Sequence, residues 1–171
     1  LELSGKPQRW LLKDPSHIGH LPEILKTYPN AKFIHIHRDP IESVGSFCSL
    51  TKNVRLAFSK KISTHGIGET VIDFWNHNLE KGMSDRKSLS NNQIVDIQYS
   101  EFIKNPLDHI KNTYMQLNFD MTIATENKIQ NFLIKDKQIS KPSHNYSLDE
   151  YGLNEKIIKS EFRDYMLNYD F

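Results

Sequence analysis

Apolar residues recur along this chain with two different periods. Behind Pro15, the residues His20, Leu21, Ile24 and Leu25 fall at helical spacing, and Tyr28-Pro29-Asn30 closes the run. Residues 31–37, Ala-Lys-Phe-Ile-His-Ile-His, are short, β-branched and aromatic and follow turn residues, which predicts a buried strand. Asp39-Pro40-Ile41-Glu42 carries the signs of a helix start: a capping Asp39, Pro40 at the first helical position, and Glu42 closing a capping box. That helix is expected to reach about Leu50, followed by a mixed basic and apolar segment holding Lys52, Arg55, Phe58, Lys60 and Lys61. A longer helix is predicted over about 69–86, with Val71, Ile72, Trp75, Leu79 and Met83 on one face. Residues 93–98 read as a second strand. Pro106 opens a further helix bearing Ile110, Tyr114 and Leu117, residues 122–134 form another, 135–147 are a polar loop, and the tail 154–169 is amphipathic and helical.

Strands alternating with helices imply βαβ units and a parallel sheet. Two strands are too few for an open parallel sheet covered on both faces. The expectation is a single partial domain over 1–171, with one or two βα units belonging before Leu1. The 171 residues suit one core of ordinary size, and 22 Lys+Arg against 21 Asp+Glu leave a net charge of +1. This balance argues against general nucleic-acid binding, which needs a clustered basic surface. No apolar run approaches the roughly 20 residues of a membrane-spanning helix. Cys48 is the single cysteine, so no disulfide forms within the chain, and the cytoplasm is the expected compartment.

Two constellations carry candidate chemistry. Arg38 leaves the first strand where the next helix begins, and in open α/β sheets ligands sit at the carboxyl ends of strands. The free N–H groups of the helix and the guanidinium fork of Arg38 suit a phosphate, and Ser43 and Ser46 lie three apart on that helix. The competing arrangement has Arg38 paired with Asp39 or Glu42. The second constellation is Lys13-Asp14-Pro15-Ser16-His17, where Lys13 could hold an anionic leaving group and His17 could act as a base; the competing arrangement is a surface lysine and a helix-end histidine. Among the eight histidines, His35 and His37 share a strand face, and His17 and His20 a helix face. Zinc uses such pairs, but no His-Glu-x-x-His motif or His/Cys cluster occurs, and no metal is expected. His37-Arg38-Asp39 mimics the protein-kinase triplet. The mimicry fails because Val44 stands where the kinase pattern has Asn, and no Asp-Phe-Gly follows.

Taken in order, these pieces resemble the sulfotransferases that use 3'-phosphoadenosine-5'-phosphosulfate. Residues 10–17, Trp-Leu-Leu-Lys-Asp-Pro-Ser-His, are similar to the family's Trp-x-Leu-Lys-Ser-Pro-x-His, with Asp14 in place of Ser. Residues 31–46 are similar to its 3'-phosphate-binding strand and helix, in which the strand-end Arg is followed eight positions later by Ser, as Arg38 is by Ser46. Residues 97–106 are similar to Tyr-Glu-Asp-Leu-x-x-x-Pro; Tyr99 and Pro106 match and Ser100 departs. Residues 144–153 are similar to the tail of bacterial-type members.

The resemblance implies a P-loop NTPase-like α/β fold, a parallel sheet flanked by helices. It implies that Arg38 and Ser46 bind the 3'-phosphate, that Tyr99 lies near the nucleoside, and that Lys141, His144 and Tyr146 close over it. His17, with His20 as its rival, would take the acceptor proton, and Lys13 would steady the transferring group. The acceptor would be a hydroxyl or amine on a small molecule, carbohydrate or peptide. The family's 5'-phosphosulfate loop has no counterpart: no Gly-x-x-x-x-Gly-Lys-Ser/Thr occurs. It is expected before Leu1, and the chain as it stands is expected to bind the donor weakly. The alternatives are a non-catalytic nucleotide-binding module of the same fold and a P-loop kinase or nucleotidase, which would need a Walker lysine and a magnesium-binding Asp.

Overall fold

The computed structural model describes residues 10–137 and 146–171. Its centre is a pair of parallel strands, β1 (Phe33–His37) and β2 (Ile94–Gln98), in register Phe33 to Ile94, His35 to Asp96 and His37 to Gln98. Both lie where the apolar pattern put them, each starting slightly later than predicted. Ahead of β1, residues Pro15–His20 wind as a 3-10 turn, and α1 (Leu21–Thr27) follows. The single helix expected from Pro15 is divided because Pro22 sits in the first turn of α1. Pro22 has no N–H to give to Ile18, and its ring would clash with that carbonyl in a continuous α-helix.

Between the strands run α2 (Pro40–Phe58) and α3 (Thr64–Asp85). Both are longer than the sequence suggested. Residues 51–58 contain neither Gly nor Pro and extend α2, and Lys52 there pairs with Glu150. Ser63 starts α3 early, its Oγ accepting the Gly66 N–H at 3.0 Å. After β2 come α4 (Tyr99–Phe102), α5 (Pro106–Gln116), α6 (Ile123–Lys137), α7 (Glu155–Glu161) and α8 (Arg163–Asn168). The tail, expected as one helix, breaks at Phe162, whose side chain is buried in the main core.

That core joins Val44 and Cys48 of α2, Ile67, Val71 and Ile72 of α3, and Tyr151, Leu153, Ile158, Phe162 and Met166 from the carboxyl end. A smaller cluster packs Val95 and Ile97 of β2 on Leu117, with Phe102 and Phe119 around it. It covers only the β2 half of that sheet face. Ile34 and Ile36, in register with Val95 and Ile97, remain 45% and 50% exposed. The opposite face carries His35 and His37 against the tyrosines of the last turns, Tyr165 and Tyr169. Among the described residues no helix is long and apolar enough to cross a membrane.

Candidate active site

Arg38 stands where β1 hands over to α2. Asp39 caps α2, accepting the Ile41 N–H on Oδ1 at 2.8 Å. The capping box stays open, because the Glu42 carboxylate accepts from Arg38 Nε at 3.0 Å. β2 ends at the start of α4, and this puts the Tyr99 ring under Arg38, 4.9 Å from the guanidinium carbon. Glu42 and Tyr99 thus hold the arginine arm from two sides. Neither Nη of Arg38 has a hydrogen-bond partner among the described residues. The competing arrangement foreseen in the sequence, an Arg38–Glu42 pair, is present, and it leaves the outer fork available to an anion.

His17 reaches the site on the 3-10 turn, and Lys13 from the residues just ahead of it. Asp14 caps that turn, accepting the Ser16 N–H at 2.8 Å. The Ser16 hydroxyl and N–H hold the Asp14 carboxyl below its ordinary range. The turn is seated on α3 through two glycines. A Cβ on Gly19 would lie 1.9 Å from Asn78 Oδ1, and one on Gly82 would lie 2.5 Å from Ile18 Cγ1. Only bare backbone lets the turn approach α3 this closely.

A cavity of about 560 Å³ joins the two constellations. Lys13, His17, Arg38 and Ser43 supply polar lining, and Phe47 and Trp75 are among its apolar walls. Ser43 therefore lines the cavity, whereas Ser46, three residues on, is exposed and does not. Tyr99 touches the site through Arg38 alone. His17 lines the cavity; His20 does not. The Tyr146 hydroxyl donates to the Glu42 carbonyl at 2.9 Å, and its ring lies where a Cβ on Gly45 would go, which sets it over the first turns of α2. Lys141 and His144 lie outside the described residues.

The sequence reading saw His35 and His37 on one face but missed their partners. His37 is fully buried; its Nδ1 meets the Tyr165 hydroxyl at 2.9 Å and its Nε2 meets Asp96 Oδ1 at 2.7 Å. Arg86 pairs with Asp96 Oδ2 and with the Tyr169 hydroxyl. Burial pushes the Asp96 carboxyl up, but the hydrogen bonds from His37 and Arg86 outweigh it and hold it well below the ordinary carboxylate range. The signal was Asp96 itself, a charge inside the apolar strand Ile-Val-Asp-Ile.

A parallel strand ending at a cationic cavity, with a helix starting beside it, places the protein among α/β proteins of nucleotide-binding type. The comparisons with known proteins are more specific. A family model described as "Sulfotransferase family" matches residues 2–122, and the chain belongs to that family. Two curated relatives, the omega-hydroxy-beta-dihydromenaquinone-9 sulfotransferases Stf3 of Mycobacterium tuberculosis and Mycobacterium bovis, are 26% identical to it over 108 residues. That alignment takes in 63% of this chain and 28% of each relative. The crystal structure of sulfotransferase STF9 from Mycobacterium avium superposes on 95% of this chain with a TM-score of 0.79 at 27% identity. STF1 from Mycobacterium tuberculosis does so on 92% with 0.77 at 28%. The chain spans 42% and 40% of those two structures. The fold is the sulfotransferase α/β fold, as expected from the sequence.

Proposed function

We propose that this chain supplies the 3'-phosphate site and the catalytic base of a sulfotransferase. The enzyme would move a sulfuryl group from 3'-phosphoadenosine-5'-phosphosulfate to a hydroxyl or amine acceptor. The observation that supports this best is the single cavity gathering Lys13, His17 and Arg38 from two separate stretches of chain. The family's activity, and the Stf3 relatives named for acting on a menaquinone, support a small-molecule acceptor over a carbohydrate or peptide. The lone, buried Cys48 suits the reducing cytoplasm.

Each residue has a chemical task in this reading. The Nη groups of Arg38 take the 3'-phosphate as a bidentate fork while Glu42 fixes the arm. Ser43, which lines the cavity, is a second candidate hydroxyl for that phosphate beside the Ser46 of the motif spacing. Tyr99 holds the guanidinium from below, and Tyr146 pins the first turn of α2. Sulfuryl transfer asks for in-line placement and for positive charge where the leaving oxygen gains electrons. Lys13 supplies that charge, and His17 accepts the proton the acceptor loses. No step in this scheme calls on a metal.

The test uses radiolabelled donor, a panel of hydroxyl and amine acceptors, and the longest natural polypeptide that contains these residues. His17→Ala should cut turnover by about a hundredfold or more while donor affinity holds. Full turnover in His17→Ala would move the base elsewhere, with His20 next to examine. Nucleotide binding without transfer to any acceptor would favour the non-catalytic module.

A further inference from the structure

The polar cluster on the far face of the sheet has a feature that packing alone leaves unexplained. His35 Nδ1 is buried and has no hydrogen-bond partner among the described residues. It points toward Asp96, the residue directly opposite in the parallel register, with Nδ1 4.0 Å from Asp96 Oδ1. His37, two residues along the same face and with its ring centroid 3.9 Å from that of His35, reaches the same oxygen at 2.7 Å. One donor atom from each of His35, His37 and Asp96 lies within 4.8 Å of the others.

We propose that His35, His37 and Asp96 bind one zinc ion. Zinc bonds of about 2.0–2.1 Å set tetrahedral ligand atoms about 3.3 Å apart. The two separations from Asp96 Oδ1, 2.7 and 4.0 Å, fall on either side of that value, and the histidine nitrogens lie within 4.8 Å of each other, so side-chain shifts of about an ångström bring the three atoms to zinc spacing. Two imidazoles and a carboxylate form a three-ligand set that keeps a fourth position for water. Asp96 supplies the way in, with its side chain 41% exposed while that of His37 is 1% exposed.

The surroundings match what zinc ligands need from a second layer of contacts. Such histidines give their other ring nitrogen to a fixed partner, and such carboxylates are held by hydrogen bonds. Tyr165 faces His37 Nδ1, and Arg86 holds Asp96 Oδ2. The His35 Nδ1, buried and without a hydrogen-bond partner among the described residues, gives up no protein contact in turning to an ion. At His37 the proton shared with Asp96 lies on Nε2, because the carboxylate only accepts. On zinc binding that proton passes to Nδ1, and the Tyr165 hydroxyl turns from donor to acceptor. The Arg86 charge works against the ion and sets an affinity below that of closed structural zinc sites. The sequence suggested the histidine pair, and no metal was expected because no His-Glu-x-x-His motif or His/Cys cluster occurs; the parallel register adds Asp96 to the pair.

Bound zinc would tie β1 to β2 beneath Tyr165 and Tyr169 and stiffen the sheet one residue before Arg38. The test is calorimetric titration of metal-stripped chain with zinc chloride at neutral pH. One ion per chain at low-micromolar affinity is expected, with a rise in melting temperature. His35→Gln, which removes an unpartnered nitrogen, and the isosteric Asp96→Asn should each weaken binding at least tenfold. His77→Gln, an exposed histidine elsewhere, should leave it unchanged. Should either site variant fail to fold, cobalt added to the unmutated chain decides: visible d–d bands of tetrahedral strength support the site, and their absence overturns it. Uptake unaffected by His35→Gln, or several weak ions per chain, would also overturn it and mark surface binding.

Discussion

Replacing Gly82 by alanine offers a sharp test of how the Lys13–His17 turn is held. Gly82 lies in the last turns of α3. On an open helix the change would stabilise by about 0.5–1 kcal/mol, since glycine costs backbone entropy. Here the new Cβ would meet Ile18 Cγ1 at 2.5 Å and the Ile18 carbonyl oxygen at 2.8 Å. The side chain can turn aside; the carbonyl cannot move without carrying the Lys13–His17 backbone with it. Overpacking of this kind costs about 1–3 kcal/mol, enough to reverse the sign. The net expectation is destabilisation by about 1–2 kcal/mol, which for a chain of this size lowers the melting temperature by roughly 2–8 °C. Gly66→Ala in the same helix is the control. Its Cβ would meet only Ser63 side-chain atoms, the nearest at 3.3 Å, and the change should be nearly neutral. Thermal and urea unfolding followed by circular dichroism measure both. A rise in melting temperature for Gly82→Ala would refute the close seating of the turn on α3.

Other parts of the structure carry their own expectations. Glu42→Gln removes the negative charge beside Arg38 and should tighten adenosine 3',5'-bisphosphate binding by about threefold to tenfold in isothermal titration, an effect that shrinks with added salt. Unchanged affinity would mean that Glu42 does not face the anion. Burial pushes the Cys48 thiol up to about 11, so it stays protonated through neutral and mildly basic pH. A disulfide reagent at pH 8 should label it only after unfolding, and rapid labelling of the folded chain would contradict its placement in the core. Tyr165→Phe strips the hydroxyl from His37 Nδ1 and leaves a buried nitrogen unpaired, at a cost of about 1–3 kcal/mol in denaturant unfolding. A neutral result would mean that another group satisfies His37.

Local signals gave away most of the fold. Both strands were readable because their β-branched residues sit between turn residues, and β1 also carries alternating histidines. The α2 start was readable because Asp39 and Pro40 each have a helix-terminus reason to be there. The start of α3 lies ahead of the apolar face that begins at Val71, in a stretch that holds Gly66 and Gly68. Tertiary contact explains the second of them: a Cβ on Gly68 would sit 2.2 Å from the Tyr151 carbonyl. The break at Phe162 was hidden because a continuous amphipathic tail and two short helices bury the same face.

The site divides in the same way. That Arg38, Lys13 and His17 gather at one cavity follows from features legible in the sequence, since each stands where a strand or extended segment passes into a helix. Which of Ser43 and Ser46 lines the cavity was not legible, since the two are equivalent until the helix is rotated against the sheet. The Asp96–Arg86 pair was invisible for a related reason. It depends on the parallel register that sets His35 against Asp96 and on the end of α3 delivering Arg86, and no stretch of sequence contains both.

The claim on which the functional account rests is that Arg38 anchors the ribose phosphate of the donor. Titrating the 171-residue chain and its Arg38→Ala variant with adenosine 3',5'-bisphosphate tests it most directly. The account predicts weak binding, in the range of hundreds of micromolar by order of magnitude, because these 171 residues hold no Gly-x-x-x-x-Gly-Lys-Ser/Thr motif, and a further loss of about tenfold or more in the variant. Equal affinity for the two proteins would contradict the role of Arg38, and low-micromolar binding by the chain alone would contradict the need for that motif.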